Sequence, residues 1–255
     1  MTSTKNKIAL VTGGSRGLGK DMALQLANKG FNVALTYHSK KDEAERVVSE
    51  IKKLGRKAHA FQLDVSATQT FDAFVNTLKL ALQTEFQVEK FDALVNNAGV
   101  GVHASFTDTT PEQFDNMVNI HLKAPYFLTQ KLLALLNDEG SVVNISSGLA
   151  RFSFAGYSAY GTMKGAVETL TKYQAKELGE RKIRVNVVAP GAIETDFGGG
   201  VVRDNKDLNN MISSLTALGR VGVADDIGSV VAFLCSDEAK WVNAQRIEVA
   251  GGIYI

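Results

Sequence analysis

Thr12-Gly-Gly-Ser-Arg-Gly-Leu-Gly19 stands between the apolar run Ile8-Ala-Leu-Val11 and a stretch where Leu18, Met22, Leu26 and Ala27 recur at helical spacing. An apolar run that stops at a glycine turn predicts a strand buried on both faces. The spacing that follows predicts a helix, with Gly30 as its C′ residue. Gly13, Gly17 and Gly19 permit a tight turn and close approach of a pyrophosphate. The helix behind them offers free N–H groups and the positive end of its dipole. Ser15, Arg16 and Leu18 lie within the same turn. The pattern is G-x-x-x-G-x-G rather than G-x-G-x-x-G, and glycines alone also make ordinary turns. Its placement after the first strand and before a helix is what predicts a dinucleotide site.

Strands and helices alternate to the end of the chain. Strands are expected at Asn32–Tyr37, Ala58–Leu63, Phe91–Val95, Ser141–Ile145, Arg184–Val188 and Arg246–Val249. Ala44, Val47, Val48, Ile51 and Leu54 predict one helix. Phe71, Phe74, Val75, Leu78, Leu82 and Phe86 predict another. Thr110-Pro-Glu-Gln113 is a helix start, with Thr as N-cap, Pro at N1 and Gln at N3. A long helix should run from near Tyr157 to near Gly179, and another over Ala224–Cys235. Seven strands with helices between them predict a single doubly wound α/β domain of the Rossmann type over 1–255. Its sheet should be mainly parallel and covered on both faces. Pro190 to about Gly222 is the least regular segment, and a long loop, a lid over about 195–218, is expected there.

The 255 residues carry 28 Lys plus Arg against 27 Asp plus Glu, a net charge of +1. That balance argues against a nucleic-acid partner, which favours a basic surplus. With 45% hydrophobic residues it argues against disorder as well. No stretch approaches the ~20 apolar residues that span a bilayer, and the apolar run after Met1–Lys7 is too short for a signal segment. The lone Cys235 cannot form an internal disulfide and reads as a small core residue. A cytoplasmic location is the expectation.

The end of the second strand indicates which dinucleotide binds. A carboxylate there would bond the ribose 2′-OH of NAD. The sequence instead has Tyr37-His38-Ser39-Lys40-Lys41, and Arg16 lies in the glycine turn. Hydroxyls and cations suit a 2′-phosphate, so NADP is expected over NAD. A second constellation is Tyr160-Gly-Thr-Met-Lys164, with i and i+4 on one helix face. A cation beside a phenol lowers the phenol's pKa, and such a Tyr can act as general acid or base on an alcohol–ketone pair. Ser147 lies thirteen residues upstream, at the C-terminal end of a strand, where ligands of such sheets bind.

Together these motifs resemble the classical short-chain dehydrogenase/reductase family over nearly the whole chain. Leu63-Asp64-Val65, Asn96-Asn-Ala-Gly99, Pro190-Gly-Ala-Ile193 with Thr195, Arg220-Val-Gly222 and Gly251-Gly252 complete the likeness. The resemblance implies that Tyr160 protonates the carbonyl oxygen and that Lys164 holds the nicotinamide ribose and lowers the Tyr160 pKa. Ser147 would orient the carbonyl. It implies that Asn119 is the fourth catalytic residue, bending its helix and supporting a proton-relay water. Asp64 and Val65 would meet the adenine. Asn97, Ala98 and Gly99 would line the cofactor, and Pro190, Gly191, Ile193 and Thr195 would lie at the nicotinamide end. No metal is expected, since His38, His59, His103 and His121 show no ligand spacing.

The substrate is less legible. Arg151-Phe-Ser-Phe-Ala-Gly-Tyr157 places aromatic residues between Ser147 and Tyr160, either as an apolar wall for a bulky ketone or as packing. The likeness is nearest to the 3-oxoacyl-carrier-protein reductase type. Asn137-Asp138-Glu139 is acidic where that type tends to be basic, with Arg181 as one remaining cation, which favours a free small-molecule ketone or alcohol. Gln83–Lys90 reads as a surface extension. Ala244 stands where the family usually has Gly, a mild packing change. The resemblance implies a homotetramer, with the apolar tail Ile253-Tyr-Ile255 near an interface. The expected activity is NADPH-dependent ketone reduction. An NAD-dependent alcohol or sugar dehydrogenase, a 3-oxoacyl-carrier-protein reductase and a non-catalytic dinucleotide sensor are the alternatives.

Overall fold

The computed structural model describes residues 7–255; Met1–Asn6, and the reading of them as no signal segment, lie outside those residues. In chain order the elements are β1 (Ile8–Val11), α1 (Gly17–Asn28), β2 (Asn32–Tyr37), α2 (Lys41–Lys53), β3 (Ala58–Gln62), α3 (Phe71–Ala81) and β4 (Phe91–Asn96). There follow α4 (Pro111–Val118), α5 (Ala124–Leu132), β5 (Leu136–Ile145), α6 (Ser158–Glu177) and β6 (Arg184–Pro190). The chain closes with α7 (Val201–Asp204), α8 (Lys206–Ser214), α9 (Ala224–Cys235) and β7 (Arg246–Val249). The strands form one sheet in the order β3-β2-β1-β4-β5-β6-β7. Every pairing is parallel. The order reverses between β1 and β4, so a crevice opens at the C-terminal ends of those two strands.

Each face of the sheet carries its own core. Met22, Leu26, Val47, Ile51, Val231 and Leu234, from α1, α2 and α9, pack on one face. Phe71, Phe74, Leu78, Leu128, Leu132 and Ala175, from α3, α5 and α6, pack on the other. The capping box at Thr110 forms as expected, with Gln113 N donating to Thr110 Oγ1 and Thr110 N to Gln113 Oε1. Among the described residues, no helix is long and apolar enough to cross a membrane. Cys235 is buried in the first core, and burial pushes its thiol up to about 12, which makes it inert.

Four details depart from the sequence expectations. The segment 195–218 is a set of short helices rather than a long loop. Gly198, Gly199 and Gly200 carry φ of 62°, 77° and 80° through the first turn. Asn205 then caps α8 by accepting from Leu208 N, and Ile212 is buried. The polar run at 205–210 hid a helix whose apolar face is narrow. The segment 83–90 lies largely at the surface, as expected, but it is an anchored turn rather than a plain loop. Leu82–Phe86 is π-helical, Gln87 closes it at φ 63°, and Phe86 is buried. Ala244 lies in the left-handed region at φ 58°, so its departure from glycine is a backbone matter as well as a packing one. Strand β5 begins at Leu136, earlier than expected, through an irregular register against Phe91 and Ala93.

A wide π-helical turn, Asn119–Lys123, also joins α4 to α5. Pro125 supplies the reason. It has no N–H to give and its ring crowds the preceding turn, so the helix widens just before it.

Candidate active site

The crevice between β1 and β4 is built on Thr12. Its hydroxyl accepts from Asn97 N and Ala98 N, both at 3.0 Å. Asn97 Nδ2 donates back to Thr12 O at 2.8 Å. These bonds hold Asn97, Ala98 and Gly99 against the glycine turn. Gly13 has φ 67°, and a Cβ there would meet Ala98 Cα at 3.0 Å. At Gly19 a Cβ would lie 2.1 Å from Gly13 O, so helix α1 and the glycine turn touch backbone to backbone. Helix α1 begins without a side-chain cap and without an acidic residue in its first turn. Its free N–H groups and dipole therefore suit a phosphate, and the chemistry of this donor set fits a dinucleotide.

At the adenine end, Asp64 Oδ1 accepts from Ser66 N at 2.9 Å and from Ser66 Oγ at 2.7 Å. Partial burial works to raise the Asp64 carboxyl. The Ser66 hydrogen bonds and the nearby His38 outweigh it and hold the group below the ordinary carboxylate range. Val65 packs on the second core. Tyr37 is only 8% exposed, since its ring is part of the first core. It is therefore a wall, and the solvent-facing groups at this corner are Arg16, His38, Ser39 and Lys40. Arg16 Nη1 lies 3.8 Å from Asp196 of the helical segment after β6.

At the other end, Gly191 N donates to Val249 O, and a Cβ on Gly191 would meet Ala250 Cα at 2.9 Å. Pro190 ends β6, and Ile193 bridges to Gly222. Thr195 lies across from the glycine turn, 3.6 Å from where a Gly17 Cβ would be. The chain order alone does not show this meeting of residues 17 and 195.

Ser147 follows the C-terminal end of β5, and Tyr160 and Lys164 lie on the first turns of α6. A buried polar lattice fixes β4, β5, α5 and α6 to one another. Asn96 Nδ2 donates to Asn144 Oδ1 and Thr129 Oγ1, and Asn144 Nδ2 donates to Thr171 Oγ1 and Gln174 Oε1. Ser146 Oγ bonds Lys164 O and Glu168 Oε1. Lys164 Nζ donates to Ile145 O at 2.7 Å and lies 5.4 Å from the Tyr160 ring centroid. The Ser147 side chain lies close enough to the Tyr160 phenol to work against the effect of its burial.

Burial dominates the electrostatics of the Tyr160–Lys164 pair. Burial drives the Tyr160 phenol up from its ordinary value, and the nearby Ser147 side chain offsets only part of that. Burial likewise brings the Lys164 ammonium down to about 7. In the protein alone, burial is the largest influence on both groups.

Asn119 is the first residue of the π-helical turn. The side chain that this turn delivers to Tyr160 is that of His121, whose ring stands edge-on to it at 5.1 Å between centroids and 86° between planes. Sequence analysis gives His121 no place in the site. Its signal was Pro125, which widens the helix and turns this position inward. Phe197, also unforeseen, lies 5.7 Å from the Tyr160 ring between centroids. Phe152 and Phe154 stack on Tyr254 of the tail at 5.0 and 5.9 Å. They are packing for the tail, and Tyr254 is 42% exposed beside them. Among the described residues, no three His, Cys, Asp or Glu side chains gather as a metal site.

This geometry defines a nicotinamide-dependent oxidoreductase. The protein-family description "Enoyl-(Acyl carrier protein) reductase" matches residues 13–254, and the chain belongs to the classical short-chain dehydrogenase/reductase family. It is 37% identical to a 3-oxoacyl-[acyl-carrier-protein] reductase FabG of Staphylococcus epidermidis, over 98% of this chain and 100% of the relative. It is 36% identical to the short-chain dehydrogenase/reductase FrzI of a Cladobotryum species, over 98% and 97%. Among solved structures, angucycline C-6 ketoreductase LanV with bound NADP superposes with a TM-score of 0.93 at 35% identity, over 98% of this chain and 96% of that one.

Proposed function

We propose that this chain reduces a small-molecule ketone to a secondary alcohol with NADPH. The observation that carries the reading is the Lys164 ammonium held against the Tyr160 ring, with Ser147 just past the end of β5, at the strand ends beside the α1 N-terminus. Gly13, Ser15, Arg16, Gly17, Leu18 and Gly19 would hold the pyrophosphate. His38 and Ser39, over the wall made by Tyr37, would take the 2′-phosphate with Arg16. Asp64 and Val65 would meet the adenine. Asn97, Ala98, Gly99, Pro190, Gly191, Ile193 and Thr195 would line the ribose and nicotinamide end. When bound, the cofactor supplies the hydride. Ser147 orients the carbonyl oxygen, and Tyr160 gives that oxygen its proton. Lys164 holds the ribose and carries the charge that answers the departing proton. The helices at 197–214 would serve as the lid, with Phe197 as its contact to Tyr160.

A carrier-bound 3-oxoacyl substrate is the second reading, favoured by the FabG relatives. At the start of β5, however, Arg181 is paired with Asp138 and Lys182 with Glu139. Those pairings neutralise the cations an acidic carrier would seek, which supports a free ketone. Exposed Tyr126, Phe127 and Tyr173 on α5 and α6 support a homotetramer built on those helices, and the single thiol supports a cytoplasmic setting.

The test follows absorbance at 340 nm with 2,2,2-trifluoroacetophenone and NADPH or NADH in parallel. Faster turnover with NADPH is expected. Faster turnover with NADH would keep the chemistry and overturn the cofactor. A preference for acetoacetyl carrier protein over every free ketone would promote the second reading.

A further inference from the structure

His121 is 3% exposed, on the π-helical turn, between Tyr160 and Gly99. Its Nε2 lies 2.8 Å from Val100 O. A carbonyl oxygen only accepts, so Nε2 carries the proton and the other nitrogen, Nδ1, is a bare acceptor. Burial, and after it the nearby Lys164 charge, bring the imidazole down to about 3, so the ring stays neutral at any working pH. Nδ1 is buried and has no partner in the protein. A buried acceptor without a partner is costly, and a protein that keeps one at a reactive centre has a use for it.

The surroundings supply the use. Lys164 spends one of its three hydrogens on Ile145 O. His121 and Lys164 both line one small cavity, together with Thr12, Asn96 and Ala98. That cavity gives about 10 Å³ to the centre of a water-sized sphere, enough for a single water. Gly99 is part of the arrangement, since a Cβ there would fall 2.7 Å from His121 Cε1 and displace the ring.

We propose that His121 is the positioning residue of this site. Its Nδ1 accepts a hydrogen bond from one water in the cavity, that water in turn accepts from the Lys164 ammonium, and the pair fixes the lysine against Tyr160. The inference rests on the ketone-reductase reading of the same site. It moves to His121 the supporting role that the family resemblance implies for Asn119. The water gives one hydrogen to Nδ1 and receives one on its oxygen from Nζ, so no bond to a heavy atom is made or broken.

Two amide variants separate the two nitrogens of the ring. In His121→Asn the side-chain oxygen takes the place of Nδ1, and the Val100 bond is lost. In His121→Gln the amide nitrogen takes the place of Nε2 and keeps the Val100 bond, but nothing replaces Nδ1. With trifluoroacetophenone and NADPH, His121→Gln should lose about ten- to a hundredfold in kcat, as removal of an orienting partner does. Its NADPH dissociation constant, read by fluorescence, should stay near that of the wild type. His121→Asn should keep most of its turnover. The reverse order would assign His121 to the Val100 bond and overturn the proposal, as would a greater loss from Asn119→Ala than from His121→Gln. A nitrogen-15 histidine spectrum of the wild type needs no turnover and no variant that folds. It should show the Nε2–H tautomer with Nδ1 shifted as a hydrogen-bond acceptor. A free Nδ1 or the other tautomer would overturn the inference, whereas absence of wild-type turnover with every ketone would overturn only the parent reading.

Discussion

Lys164 Nζ lies 5.4 Å from the centroid of the Tyr160 ring and gives a hydrogen to Ile145 O. The cation is thus fixed to the end of β5 and lies against the phenol, and both groups are buried. Burial favours the neutral phenol, which is the form that can donate a proton to a carbonyl oxygen. Tyr160→Phe keeps the ring against His121 and Phe197 and removes only the proton. It should leave NADPH binding intact, measured by fluorescence titration, and cut turnover by about a hundredfold or more at 340 nm.

The same burial gives a stability signature. Lys164 titrates at about 7 in the folded protein, below its ordinary value near 10.5. Between those two values the unfolded chain binds the extra proton, so stability rises with pH across that window. The penalty is complete below about pH 7 and relieved as pH approaches the ordinary lysine range. Lys164→Met removes the titration and keeps much of the stem. Its melting temperature in the cofactor-free protein should exceed that of the wild type most at pH 6 and least at pH 10. A constant difference across that range would contradict the assignment of the slope to Lys164.

Arg16 is the cation of the glycine turn. It is more than half exposed and 3.8 Å from Asp196, so its charge is available to a phosphate when the weak pair opens. Arg16→Ala should lower kcat/KM for NADPH by about tenfold, the scale of one hydrogen bond to a charged group, and change NADH little. The effect should shrink as salt is raised. Equal losses with both cofactors would place Arg16 away from the 2′-phosphate.

The glycine turn, the strand ends and the Tyr160–Lys164 pair were legible because each is a local pattern. Turn chemistry, period and i,i+4 spacing act within a few residues. His121 was not legible in that way, because its inward direction depends on the wide turn that Pro125 imposes and on a ring three elements away. The helices at 197–214 were hidden by polar residues and three glycines, whose φ values only the folded chain reveals. Tyr37 marked the correct strand end, but whether its ring faced solvent or core depended on packing with α1 and α2.

Ala244 carries the one departure from the family pattern whose consequence is energetic. Its φ is 58°, and its N–H is held by Val185 O at 2.9 Å, so the conformation cannot relax without breaking that bond. An L-residue there costs about 1–2 kcal/mol, part of which glycine returns through its greater freedom when unfolded. Ala244→Gly should therefore stabilise by about 1 kcal/mol and raise the melting temperature by about 2–4 °C. Activity should not change. A lower melting temperature would mean that the methyl group's packing on the second core outweighs the strain.

The tail is tied to the loop that follows Ser147 by one side chain. Arg151 meets Glu248 through two hydrogen bonds, at 2.8 and 2.9 Å, and donates to Ile253 O and Tyr254 O. Ile253 is buried beneath it, and Tyr254 stacks on Phe152 and Phe154. The paired fork has a fixed geometry, so a shorter cation cannot reproduce it. Losing it frees the aromatic trio and the loop between Ser147 and Tyr160, while the glycine turn is untouched. Arg151→Ala should therefore raise KM for a bulky aryl ketone by about tenfold, the scale of a modest pocket change. KM for NADPH should stay constant, and Arg151→Lys should recover little. A matched rise in both constants would show that the tail supports the whole domain rather than the substrate side of the site.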